Sequence, residues 1–453
     1  MRSVCLAVGV WWTAALSAAP VTPTVIVDIH ALGPARLQAL KTEDSVRWSA
    51  EFGTELLLGV APEALPAWLG RDGVRAGPEA LAPDQIWIRD HVCVHEAVQP
   101  ALAVVGGYEV LRLPAPVVAY QTRIGAVGAA LPADGVHARE AANAPPIKAA
   151  RVVDARISAI VARVDAARWF ATLSTLASYN RNSFSPALGA ARDYILSSLG
   201  STGLQTETYN YTLENLANCG ATVPPPIVIS NPIGRKLGRS LPDEWIVVGA
   251  HYDSRNVDRC DGTLAPQPGA NDNASGCAGV IELARVYASV ATERSVLFMC
   301  FSGEEQGLWG SRRYVEALQS SGEIGKVKHM INLDMLGFDA GGALDARAET
   351  NATNAALLTE YRSAATDYAP ELNLITSSNT SAGSDHWYFL QAGVPAVFTW
   401  ENGASVYPHY HRDTDVPANM TNAQALAGGI LKMDAAMLAQ KAGLSAEFAD
   451  GFE

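Results

Sequence analysis

The chemistry of this chain is concentrated in a few side chains that follow short apolar runs. His251 and His411 can each offer a neutral imidazole nitrogen, and Asp272, Glu305 and Asp334 can offer carboxylate oxygens. Zinc accepts both donor types at about 2.0–2.2 Å. Five such ligands are one more than a closed tetrahedral site uses. They suit two zinc ions about 3.5–4 Å apart that share a bridging carboxylate and clamp a water. Three carboxylates against two divalent cations leave net positive charge, which lowers the pKa of that water. Asp253, two residues beyond His251, faces the same way on an extended strand end and can accept the other imidazole proton. Glu304 neighbours Glu305 but points to the alternate face. It can stand beside the metals without binding them, take a proton from the water and pass it to a leaving amine. Each residue alone has an ordinary explanation: Glu-Glu pairs start helices, Asp caps them, and Asp-Asn makes turns. The assignment rests on their order and on a shared placement at strand ends.

That placement is read from the apolar runs. Residues 245–250 lead into His251, residues 295–301 into Gly303-Glu304-Glu305, residues 329–333 into Asp334, and residues 394–400 toward His411. From about residue 151 such runs alternate with helical segments. The pattern predicts an α/β fold, with a mostly parallel sheet covered by helices on both faces. Open sheets of this kind bind ligands at the carboxyl ends of their strands. Gly307 and Gly310 predict tight helix packing beneath the Glu304–Glu305 loop. Residues 20–112 differ in character, with strand-like runs at 24–27, 55–58 and 102–105 and short helical pieces at 34–40 and 63–69. These predict a small N-terminal α+β domain. Residues 113–150, rich in Pro, Ala and Gly, read as a linker.

Taken together, the motifs resemble those of peptidase family M28. The resemblance is carried by His251-Tyr252-Asp253-Ser254, Asn271-Asp272-Asn273-Ala274-Ser275-Gly276, Glu304-Glu305-Gln306-Gly307-Leu308-Trp309-Gly310-Ser311, Asn332-Leu333-Asp334-Met335, Ser384-Asp385-His386 and Tyr410-His411-Arg412-Asp413-Thr414-Asp415, in family order over about residues 165–440. It implies a mixed sheet flanked by helices, and a metal centre of two zinc ions. His251, Asp272 and Asp334 would hold one zinc, and Asp272, Glu305 and His411 the other, with Asp272 bridging and Glu304 as general base. It further implies a cis peptide bond after the bridging Asp272. Tyr407 and Tyr410 are both candidates for the tyrosine that helps stabilise an oxyanion in such sites. The reaction implied is removal of N-terminal residues from peptides with a free α-amine, through a hydroxide bridging the two zincs. Exported members often carry a pro-segment that assists folding or blocks the site, a role open to residues 20–112. Rival readings are a glutaminyl cyclase of related fold using one zinc, a carboxypeptidase of the same fold, and, more remotely, an inactive binding domain. The run from Asn271 to Gly276 looks more like the aminopeptidases, and the intact ligand set argues against an inactive domain.

Composition bounds what else the chain can be. Its 453 residues allow two or three domains, and 49% hydrophobic against 17% charged residues describe a globular chain. Lys+Arg number 33 against 46 Asp+Glu, a net charge of −13 without a basic cluster, which argues against nucleic-acid binding. Arg2, the uncharged apolar stretch 4–15 and the small residues around Ala15-Leu16-Ser17-Ala18-Ala19 read as an export signal over residues 1–19. A secreted or periplasmic protein without an integral membrane span is therefore expected. Of six cysteines, Cys5 would leave with the signal. Cys219 and Cys260 sit in loop-like contexts and could pair, whereas Cys277 and Cys300, in apolar runs, read as buried thiols. His386 and His409 match no ligand position and are read as structural or supporting residues. His91, Cys93 and His95 share one strand face; a metal site or a latency switch is conceivable there, but ordinary strand residues are the better reading. The tail from residue 441 carries no assignment.

Overall fold

The computed structural model describes residues 21–28, 34–52, 55–82, 86–90, 102–105, 108–112, 128–130, 153–213, 226–256, 266–339, 342–378, 384–401 and 407–445. The export signal expected at 1–19, the His91, Cys93 and His95 segment, Cys219, Cys260 and the tail after 445 lie outside the described residues.

In the N-terminal unit, β1 (Thr24–Asp28), β2 (Val46–Phe52), β3 (Glu55–Val60) and β4 (Val74–Ala76) form a sheet in the order β2-β3-β1-β4. A second sheet takes β5 (Ile86–Asp90), β6 (Ala103–Val105), β7 (Tyr108–Arg112) and β8 (Gly128–Ala130) in the order β6-β7-β5-β8. Ile26, Trp48 and Leu57 of the first share a core with Ile86, Val105 and Val110 of the second. The alternate residues Val25, Val27, Leu56 and Leu58 instead meet Leu40 of α1 (Pro34–Lys41) and Trp68 of α2 (Leu65–Leu69). The first sheet is thus covered on both faces, which is why its central strands read as unbroken apolar runs. β8 falls inside the segment expected as a linker, yet it pairs with β5, Trp87 opposite Ala130.

From residue 153 the chain builds α3 (Ala155–Val161), α4 (Ala166–Ala177), α5 (Leu188–Gly200), β9 (Gln205–Leu213), β10 (Ile227–Lys236), β11 (Leu241–His251), α6 (Ser275–Tyr287), β12 (Arg294–Phe301), α7 (Trp309–Ser320), β13 (Val327–Leu333), β14 (Asp345–Glu349), α8 (Ala356–Tyr368), β15 (Asn373–Ser377), α9 (His386–Gln391), β16 (Ala396–Glu401) and α10 (Ala423–Ala442). The strands make one mixed sheet in the order β15-β14-β16-β13-β11-β12-β10-β9. Its centre, β16-β13-β11-β12, is parallel throughout. β10 and β9 extend one side antiparallel, and β14 joins the other side antiparallel to β16. The expected mixed α/β sheet flanked by helices is therefore present.

Both faces of this sheet are covered. Along β11, Ile246, Val248 and Ala250 enter the larger core with α3 to α6, α8 and α10, while Trp245 and Val247 pack with Tyr314, Val315 and Leu318 of α7 and Phe389 of α9. Cys277 of α6 and Cys300 of β12, both fully buried, form a disulfide with Cα atoms 5.8 Å apart. This corrects the expectation of two free thiols: each cysteine lies in an apolar run, and their meeting depends on α6 packing across β12, which local pattern does not encode. No helix among the described residues is long and apolar enough to cross a membrane.

Candidate metal centre

Parallel pairing aligns the carboxyl ends of the central strands, with His251 opposite Phe301, Gly249 opposite Asn332 and Leu333 opposite Thr399. Side chains just past those ends therefore converge. His251 closes β11, Glu304 and Glu305 follow β12, and Asp334 follows β13. Asp272 arrives from the turn before α6, and His411 from the segment after β16, at φ 56°. His251 Nε2 lies 3.2 Å from Asp272 Oδ1 and 3.4 Å from Asp334 Oδ2. His411 Nε2 lies 3.0 Å from Asp272 Oδ2 and 3.2 Å from Glu305 Oε2. Three groups of metal-ligand type result: His251–Asp272–Asp334 and Asp272–Glu305–His411, joined through the two oxygens of Asp272, and a third, His251–Glu304–Glu305, that overlaps both. Glu304 stands at their edge, its Oε2 3.9 Å from His251 Nε2 and its side chain 14% exposed.

The loops are held by charged groups that donate or accept at the backbone. The Asp253 carboxylate accepts the Ser183 hydroxyl at 2.8 Å and the N–H groups of Glu304 and Glu305, both at 3.2 Å. His251 Nδ1 lies 3.2 Å from the Asp253 carbonyl oxygen and 3.6 Å from its carboxylate. The hydrogen-bonding distance is thus to the backbone carbonyl, where the sequence suggested the carboxylate, because that carboxylate is occupied by the Glu304–Glu305 turn. Asp415 accepts the N–H groups of Asn271 and Asp272 at 2.8 and 3.0 Å. Asn271 also donates to Glu401 Oε1 at 2.9 Å, and its Oδ1 accepts Gly337 N–H, tying the Asp272 turn to the segment after Asp334. Ser384 donates to Asp334 Oδ2 at 2.7 Å. The Asp272–Asn273 peptide is cis. Beneath Glu305, α7 starts so close to β12 that a Cβ on Gly310 would sit 2.4 Å from the Ser302 carbonyl oxygen.

Arg181, wholly buried, donates to the carbonyls of Leu176, Tyr252, Pro268 and Gly269 at 2.7 Å each. Burial lowers its pKa to about 10, against the pull of Asp415, Asp253, Asp272 and Glu305. Sequence reading missed this residue; nothing in the Asn180-Arg181-Asn182 stretch distinguishes it before the strand end and the Asp272 turn fold around it. Asp415 was visible only as part of a motif, and its clamp on Asp272 needed the fold.

The acids feel one another strongly. Burial pushes Glu304 well above the carboxylate range, with Glu305, Asp385 and Asp334 adding to it and His251 opposing. Burial likewise raises Glu305 and Asp334. Asp272 is held low: burial opposes ionisation, but hydrogen bonds from both histidines outweigh it. Glu305 Oε1 and Asp334 Oδ1 are buried without a hydrogen-bond partner among the described residues. Buried carboxylates of this density call for cations. The oxygen and imidazole set, in which Glu305 and Asp334 each keep one buried oxygen without a hydrogen-bond partner among the described residues, fits zinc.

Of the two tyrosines, Tyr410 stacks on the His411 ring with centroids 3.7 Å apart. Tyr407 is buried against Phe338, and its hydroxyl lies near Asp415. His386 is buried and stacks on Phe398, and His409 Nδ1 lies 2.9 Å from Thr414 Oγ1. Neither histidine joins the cluster.

Residues 231–432 match the profile of peptidase family M28, the family that the motifs resemble. A probable zinc metalloprotease of Pyrenophora teres f. teres (strain 0-1) is 30% identical over 57% of this chain and 62% of its own length. An aminopeptidase of Bacillus subtilis (strain 168), YwaD, is 34% identical over 41% of this chain and 39% of its own. The chain spans less than two thirds of the length of these curated relatives. Among solved structures, a zinc aminopeptidase from Bacillus subtilis superposes with a TM-score of 0.52 at 20% identity, over 63% of this chain and 96% of that one.

Proposed function

We propose that this chain, carrying an M28 peptidase segment, is an exported zinc-dependent aminopeptidase that binds two zinc ions and uses Glu304 as general base. The observation that carries the reading is the division of Asp272, whose two oxygens each face a different imidazole. His251 and Asp334 complete one ligand group, and Glu305 and His411 the other. Bound there, zinc supplies an acidified water and polarises a carbonyl.

The chain's own side chains account for the remaining steps. Glu304 lies close enough to the cluster to take a proton from the attacking water, and its partial exposure lets it deliver that proton to the leaving amine. Asp253 fixes the turn that carries it. The acidic surroundings favour the cationic α-amine of a peptide with a free N-terminus. Export is supported by the signal-like residues 1–19 and by the buried Cys277–Cys300 disulfide, a bond that persists in oxidising compartments.

The test is mass spectrometry of a peptide panel incubated with the full chain, with and without a zinc chelator. Chelator-sensitive, stepwise loss of N-terminal residues is expected. Loss of ammonia from Gln-initiated peptides alone, or trimming from the C-terminus, would replace this reading with a cyclase or a carboxypeptidase. A rise in rate after proteolytic separation of the front unit would assign residues 20–112 as an inhibitory pro-segment.

A further inference from the structure

The Cys277–Cys300 disulfide connects the two arms of one ligand group. Asp272 lies five residues before Cys277, and Glu305 five residues after Cys300. Asp272 precedes α6 and Glu305 follows β12, and the disulfide joins that helix to that strand inside the core. The same two carboxylates close on His411 Nε2, at 3.0 and 3.2 Å. The circuit therefore runs from Asp272 through α6, across the sulfurs, along β12 to Glu305 and back through His411.

Among the described residues the other ligand group has no such link. His251 and Asp334 end neighbouring strands whose ladder already fixes them, Gly249 opposite Asn332. Asp272 and Glu305 flank a helix and a strand that share packing but no ladder. Their separate anchors are Asp415 for Asp272 and Asp253 for Glu305. A covalent link between the arms narrows the range of Asp272–Glu305 separations that the metal must otherwise restrict on binding, and preorganisation of this kind raises affinity.

We propose that the Cys277–Cys300 disulfide is a positioning element for the Asp272–Glu305–His411 zinc site, setting its affinity while leaving the His251–Asp272–Asp334 site nearly unchanged. The proposal rests on the two-zinc reading above. Asp272 belongs to both of these groups, so the selectivity arises from Glu305, which of the two only the clamped group contains.

The experiment is zinc titration of the full, metal-stripped chain against a competing chelator, with ions per chain counted by native mass spectrometry. The oxidised protein should take up two ions, and the C277A/C300A double variant should hold one of them at least about tenfold more weakly, the other within about twofold. A second measurement uses wild type alone: the dithiothreitol concentration that half-reduces the disulfide should rise on zinc loading, because the coupling is reciprocal. Should the double variant fail to fold, this second measurement decides. Two ions in both proteins with unchanged affinities, equal weakening of both ions, or a reduction midpoint indifferent to zinc would each overturn the clamp while sparing the two-zinc reading. One ion per oxidised wild-type chain would overturn that reading and the proposal together.

Discussion

Asp415 accepts the backbone N–H of Asp272 at 3.0 Å, so one buried acid orients the turn that presents another. The arrangement is tolerable because Asp415 spends its charge on backbone dipoles. Burial still raises its pKa to about 7, with the N–H groups of Asn271 and Asp272 opposing that rise. What Asp415 secures is orientation, with Oδ1 of Asp272 toward His251 and Oδ2 toward His411.

The first prediction follows from that division. Asp272→Ala removes a ligand from both of the groups that it joins, whereas Glu305→Ala or Asp334→Ala removes one from only one of those two. The Asp272 variant should bind less than one zinc per chain under conditions where each of the others retains one. Zinc content after gel filtration checks this. Retention of two ions by Asp272→Ala would disprove the bridging role.

Glu304 separates chemistry from binding. Glu304→Gln keeps the shape of the side chain and removes its basicity, so turnover should fall by about 10²–10⁴-fold, with zinc content and substrate KM close to wild type. Peptide hydrolysis followed against zinc content on the same preparation is the measurement. Full activity in the variant would move the base to another residue.

The strands and the placement of the candidate ligand residues at their ends were legible in the sequence because two short-range patterns coincide there. The runs before His251, Glu304 and Asp334 are buried on both faces and therefore continuously apolar, and the ionisable residues that break them mark where each strand leaves the sheet. The supports were less legible. Arg181 acts through backbone carbonyls at three separate places in the chain, and a carbonyl leaves no trace in residue type. The disulfide was hidden for a related reason: buried apolar context makes a paired cysteine and a free one look alike. β8 was read as linker because Gly128, Ala129 and Ala130 carry no strand signal of their own, and only pairing with β5 organises them.

Arg181 leads to the third prediction. Arg181→Met takes a donor from four buried carbonyls, of which those of Leu176 and Gly269 keep the N–H groups of Tyr179 and Ala274, and deletes the positive charge facing Asp253, Asp272, Glu305 and Asp415. Removing one partner of a buried charged network costs about 3–5 kcal/mol. Arg181→Lys should lose less than Arg181→Met, since an ammonium keeps the charge but lacks the planar fork that reaches several carbonyls. Urea unfolding of the zinc-free proteins gives both values, and a loss below about 1 kcal/mol in the Met variant would show that other donors satisfy the carbonyls.

The last prediction concerns pH and a residue away from the metal ligands. Asp434 of α10 is fully buried, and burial raises its pKa to about 8, with the Thr399 hydroxyl opposing. Thr399 Oγ1 lies 2.8 Å from Asp434 Oδ2 and 3.2 Å from the Asn332 carbonyl oxygen. One hydroxyl proton cannot serve both acceptors. With Asp434 protonated, its O–H donates to Thr399 and the Thr399 proton is released to Asn332, so both bonds are made and the backbone two residues before Asp334 is braced. With Asp434 ionised, Thr399 must turn to it and Asn332 loses its donor. The folded chain therefore keeps a proton that the unfolded chain, with an ordinary carboxyl near 3.8, has already released. More protons bound in the folded state means that stability falls as pH rises from about 4 to about 8. Asp434→Asn supplies a permanent N–H donor to Thr399 and no titrating group. Relative to wild type, the variant should gain about 2–4 kcal/mol in unfolding free energy between pH 5 and pH 8. Urea unfolding of zinc-free wild type and variant at the two pH values measures the difference directly. A difference that stays constant with pH would mean that Asp434 is ionised in the folded protein throughout.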